Sequence, residues 1–111
     1  MMMIIGTFRH SNDGYEGRIH TLGFDAAVTI ARAPFSEVEG APAWKVFLGD
    51  PAAGIEIGAG RFRSGSRGIY LALQIDDPLL AAPLTANLHG SDQRDGEHWL
   101  IWSRPDAHEK D

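Results

Sequence analysis

Short runs in which apolar and polar residues alternate, cut by glycine, proline and Asp/Asn turns, make up almost the whole chain. A period of two marks a strand with one face buried, and it predicts about eight strands. Residues 4–9 lead into 15–22 through Ser11-Asn12-Asp13-Gly14, where Asp-Gly can supply the positive backbone dihedral of a tight hairpin. The third run, 24–33, puts Phe24, Ala26, Val28 and Ile30 on one face and Asp25 and Thr29 on the other, and stops before Pro34. Residues 34–42, with two prolines, form the longest irregular connection. Runs 43–48, 54–62 and 69–76 follow as a meander, joined by Asp50-Pro51-Ala52-Ala53 and by Ser64-Gly65-Ser66-Arg67-Gly68. Runs 84–89 and 97–103 make a last hairpin around a polar loop at 90–96. A helical pattern competes only at 78–83, where two prolines limit it to a single turn.

Strands this short and evenly spaced predict an all-β, single small antiparallel domain, its coiled sheet closing toward a barrel or sandwich. Gly6, Gly17, Gly58 and Gly60 fall inside strands, where glycine marks bends and bulges. A chain of 111 residues leaves room for one core, assigned to residues 1–104, with 105–111 as a polar C-terminal tail. At 43% hydrophobic residues that core needs neither metal nor cystine, so no cofactor is expected. The absence of cysteine excludes a disulfide framework, a thiolate zinc site and a cysteine nucleophile.

The apolar start, Met1 to Gly6, is too short for a signal-peptide core, and no run is long enough for a helix to cross a bilayer, so a cytoplasmic location is expected. A formal charge of −5 repels nucleic acid and anionic membrane at long range. Binding to either would need a local basic patch.

Several segments together resemble a bacterial family catalogued as domain of unknown function 736. They are Ile5-Gly6-Thr7-Phe8, Gly14-Tyr15-Glu16-Gly17, Thr21-Leu22, Gly58-Ala59, Tyr70-Leu71-Ala72-Leu73, Asp76-Asp77-Pro78, Ala82-Pro83, Ala86-Asn87-Leu88 and Leu100-Ile101-Trp102-Ser103-Arg104-Pro105. The resemblance carries no activity; it implies an accessory protein of plasmids and conjugative elements. Pro51-Ala52-Ala53-Gly54 lengthens a turn relative to the family pattern, and Gly60-Arg61 stands where Trp-Lys is usual.

No catalytic residues are assigned. The segment from His89 to His98 gathers two imidazoles and three carboxylates, but at no spacing of a known metal site, and reads as a solvated turn. Asp76 and Asp77 are consecutive in a strand, point to opposite faces and serve to end it before Pro78. Ser66 lies in a hairpin turn, not at the strand-to-helix elbow of a serine hydrolase. A metal-dependent or small-molecule enzyme is therefore the last of three readings.

The second reading is a single-stranded nucleic-acid-binding β-barrel. Lys45, Arg61, Arg63 and Arg67 interleave with Tyr70, offering charge for phosphate and a ring for bases. The first reading is a non-catalytic protein-interaction module that takes a protein partner or a second copy as a homodimer. Apolar residues remain on what should be the second face of strands: if Trp44, Val46 and Leu48 face the core, Phe47 faces outward, and if Trp99 and Ile101 do, Leu100 and Trp102 face outward. Phe47, Phe62, Tyr70, Leu100 and Trp102 are the candidate partner-binding residues.

Overall fold

The computed structural model describes residues 2–23, 25–66, 68–90 and 96–103. Phe24, Arg67, residues 91–95 of the polar loop and the tail 105–111 lie outside the described residues. Eight strands form: β1 (Met2–Ser11), β2 (Gly14–His20), β3 (Asp25–Arg32), β4 (Trp44–Leu48), β5 (Glu56–Gly65), β6 (Gly68–Ile75), β7 (Leu84–Gly90) and β8 (Glu97–Ser103). Each pairs antiparallel with the next in the chain, and β1 also pairs with β8, so the sheet closes as an up-and-down barrel. Closure leaves no unpaired edge strand, and it decides between the barrel and the sandwich. Among the described residues the only helical turn is a 3-10 turn at Pro51–Ala53, capped by the Asp50 carboxylate, which accepts from the Ala52 amide at 3.0 Å.

Alternation sets the interior. Phe8, Ile19, Val28, Ile30, Trp44, Val46, Leu71, Leu73, Ala86, Leu88 and Leu100 are all buried, with Ile5 and Ile75 completing the core. Large and small residues complement one another across strands: Trp44 lies opposite Gly60 and Val46 opposite Gly58. The strand glycines also mark the irregularities that coil the sheet. One bulge in β1 falls between Ile4 and Gly6, and another between β4 and β5 follows the Val46–Gly58 pair. The extra residue lets both Ile5 and Gly6 be buried on consecutive positions.

The structure corrects the first hairpin in one respect. Ser11 pairs with Gly14 around a two-residue turn, and the positive φ belongs to Asn12 (54°), not to the Asp-Gly step. Gly14 is needed because β3 approaches too closely: a Cβ there would overlap the Ile30 carbonyl oxygen.

Strand direction divides the loops between two ends of the barrel. Met2, Ser103 and the connections β2–β3, β4–β5 and β6–β7 gather at what is termed the terminal end; the other connections gather at the hairpin end.

Candidate functional site

Three loops at the terminal end hold apolar side chains out in water. Between β2 and β3 the Gly23 amide donates to Thr21 Oγ1 at 3.2 Å, and Leu22 at the tip is fully exposed. The strand expected over 15–22 ends at His20, which is why Leu22 leaves the sheet. Between β4 and β5 the Gly49 amide donates to the Ala27 carbonyl at 2.8 Å, and Thr29 Oγ1 donates to the Gly49 carbonyl at 2.7 Å, pinning the loop to β3. Ile55, beyond the 3-10 turn, stays half in solvent. Between β6 and β7 Asp77 accepts twice: from Leu79 N on its carboxylate (2.9 Å) and from Leu80 N on its carbonyl (2.8 Å). That turn sends Leu80 down onto the core and leaves Leu79 92% exposed. Met2, Met3 and Ile4 of β1 add exposed apolar surface at the same end. Because hydrogen bonds fix these turns, exposure of the apolar tips is built into the loops.

The arginine and the lysine described at this end are both ion-paired. Arg18 is committed to Asp25 at 2.9 Å and Lys45 to Glu56 at 3.3 Å. The Arg18 hydrogen bond beside Asp25 lowers the pKa of its carboxyl. Among the described residues, Asp50, Asp76 and Asp77 have no ion-pair partner and no unpaired lysine or arginine accompanies them. An apolar rim results, set with carboxylates that have no ion-pair partner among the described residues. Below it, on the outside of the barrel, runs a shallow groove lined by Ile4, Thr7, Arg18, His20 and Asp25.

The residues singled out from the sequence do not come together at one place. Phe47 faces outward on β4, half-buried, as alternation required. Phe62 lies at the hairpin end, 56% exposed, with its ring edge-on to Trp44 at 5.9 Å. Leu100 is corrected outright: it is 0% exposed, because the inner face of β8 is the one carrying His98, Leu100 and Trp102. Trp102 shares that face and packs against the core near the terminal end, while Trp99 and Ile101 face outward. Leu48, expected inside with Trp44 and Val46, is exposed where β4 reaches the terminal end.

Of the residues proposed for nucleic acid, Lys45 is paired with Glu56, and Arg61 Nε donates to the Gly40 carbonyl at 3.1 Å. Arg63 is exposed on the outer face opposite Tyr70. Tyr70 stacks on His89 with centroids 4.9 Å apart, and the Gly65 backbone approaches its ring edge. With one face of Tyr70 covered in this way, base stacking there is restricted. Arg67 lies outside the described residues.

Sequence reasoning missed Leu22, Ile55 and Leu79. The available signal was a large apolar residue wedged among turn formers, in Thr21-Leu22-Gly23, Gly54-Ile55 and Pro78-Leu79. Residues 4–105 match the family model described as "Protein of unknown function (DUF736)". No curated protein and no solved structure matches the chain.

Proposed function

The chain belongs to the DUF736 family of proteins of unknown function, and from that footing we propose that it is a non-catalytic docking module. Its terminal rim takes an apolar segment of a partner protein flanked by lysine and arginine. The observation that carries this is the pairing of Leu22 and Leu79, held out in water by hydrogen-bonded turns, with the carboxylates of Asp50, Asp76 and Asp77, which have no ion-pair partner among the described residues. Exposed apolar side chains gain free energy only when something covers them. The carboxylates select what covers them: they repel phosphates of nucleic acid or membrane lipid, and they repel the same rim on a second copy. A basic-flanked apolar segment satisfies both features. The reading makes the protein a cytoplasmic accessory factor, in the plasmid or conjugative-element setting that its family resemblance implies.

The test is titration of the isotope-labelled protein with a synthetic amphipathic Leu/Lys peptide and with its Leu/Glu counterpart. The Leu/Lys peptide is expected to shift the amide resonances of residues 21–23, 50–55 and 77–80, and the Leu/Glu peptide to leave them unmoved. The double substitution Leu22→Ser, Leu79→Ser should abolish the response while leaving the melting temperature unchanged. Equal shifts from both peptides, or shifts confined to other surfaces, would refute the reading. So would a wild-type dimer in sedimentation that the double substitution dissociates, since the occupant would then be a second copy.

A further inference from the structure

At the opposite, hairpin end the inner face of the barrel carries a layer of rings. His10 of β1 and Tyr15 of β2 lie with centroids 4.6 Å apart, and His98 of β8 meets His10 edge-on at 4.9 Å and Tyr15 at 5.0 Å. Tyr15 continues to Trp44 at 5.7 Å, and Trp44 to Phe62 at 5.9 Å. The Arg32 guanidinium lies 4.9 Å over the Trp44 ring. Strands from both sides of the β1–β8 closure therefore meet through two imidazoles in contact.

His98 Nδ1 and Trp44 Nε1 are buried without a hydrogen-bond partner. Burial pushes the His98 imidazolium toward losing its proton, and neighbouring His10 acts in the same direction. The Gly96 carbonyl works against both without closing a hydrogen bond to Nδ1.

Among the described residues, the charges around this layer do not offset a proton placed on it. Arg32 on β3 is itself a cation on the layer. Glu16 of β2 faces outward and accepts from Ser11 Oγ at 3.0 Å; Glu97 of β8 faces outward and accepts from Trp99 Nε1 at 2.7 Å. Asp13, Glu37 and Glu39 lie in exposed connections, Arg9, Lys45, Arg61 and Arg63 point outward from β1, β4 and β5, and His89 of β7 stacks outside on Tyr70. Among the described residues no carboxylate faces the layer.

We propose that this ring layer is a proton-responsive seal: it closes the hairpin end while His98 is neutral, and acidification opens that end of the β1–β8 seam while the rest of the barrel stays folded. The direction follows from linkage. A histidine whose neutral form is favoured in the closed state binds its proton more readily when open, so closure weakens as pH falls below the ordinary imidazole value of about 6.5. The protonated Nδ1, buried in the closed state, must then reach water, and the strand that carries it is β8, paired there with Phe8 and Arg9.

Amide hydrogen exchange of the full chain at pH 7.5 and pH 5.0, corrected for the intrinsic pH dependence of exchange, tests this. Protection of residues 8–10 and 98–100 is expected to be lower at pH 5.0 than at pH 7.5, with residues 71–75 and 84–88 unchanged. His98→Phe, which keeps a ring but cannot titrate, should hold protection constant across the range. His10→Phe should reduce the change, and serves if the first variant does not fold. Unchanged protection in the wild type, a uniform loss over all strands, or an equal loss in both variants would overturn the proposal.

Discussion

Gly17 offers a demanding test of the barrel register. It pairs with Phe8 in β1 and with Val28 in β3. A Cβ at this position would overlap the Thr7 carbonyl oxygen and stand 2.8 Å from Phe8 Cα and 2.9 Å from Phe8 Cδ2. Two of those three atoms are backbone, and the Phe8 ring is 2% exposed with no room to retreat. Gly17→Ala must therefore push β1 and β2 apart by on the order of 1 Å, enough to break the nearest ladder hydrogen bonds. Each lost bond costs about 1 kcal/mol, and the displaced core about 1 to 3 kcal/mol. The stiffer unfolded chain returns no more than about 1 kcal/mol. The expected loss is about 2 to 4 kcal/mol, a large fraction of the roughly 5 to 15 kcal/mol that holds a domain together.

Gly23→Ala is the control. Gly23 lies in the β2–β3 loop with nothing within 4 Å of its added Cβ and without a positive φ, so the same chemical change there should be neutral or stabilise by up to about 1 kcal/mol. Urea denaturation followed by tryptophan fluorescence and circular dichroism measures both. A Gly17→Ala protein within about 1 kcal/mol of wild type, or equal losses from the two substitutions, would refute the close approach of β1 and β2.

Leu100→Ala should cost about 2 to 5 kcal/mol, since the side chain is fully buried and leaves a cavity the closed barrel cannot collapse. Urea denaturation checks it, and a loss below about 1 kcal/mol would return Leu100 to the surface. Trp102→Ala should cost about 1 to 3 kcal/mol, less than for a fully buried tryptophan because the ring only packs against the edge of the core. Sedimentation should find its oligomeric state the same as wild type; a dissociated oligomer at unchanged stability would make Trp102 an interface residue instead.

The candidate sites were unevenly legible, for a reason visible in particular residues. Alternation in β8 separates Trp99 and Ile101 from Leu100 and Trp102, yet both sets are apolar and either could have faced inward. The choice falls to pairing: β8 lies between β7 and β1, and Leu100 stands opposite Leu88 and Gly6, which are inside. Leu22 reads as the end of a strand and Leu79 as part of a proline-limited turn, and only the hydrogen-bonded turns around them show that they point to water.

The sequence by itself determined the eight strands, their antiparallel succession and most of the inner face, because a two-residue period, turn chemistry and strand glycines are local properties. It also determined the acidic balance and the absence of thiol chemistry. Closure was decided only in three dimensions, by the pairing of β1 with β8 across almost the whole length of the chain. So was the gathering of Leu22, Ile55, Leu79 and three carboxylates at one end, and of His10, Tyr15, Trp44 and His98 at the other. Those groupings join residues far apart in the chain. Which of them become neighbours depends on how each strand registers with the next, and a local pattern of apolar and polar residues does not carry that information.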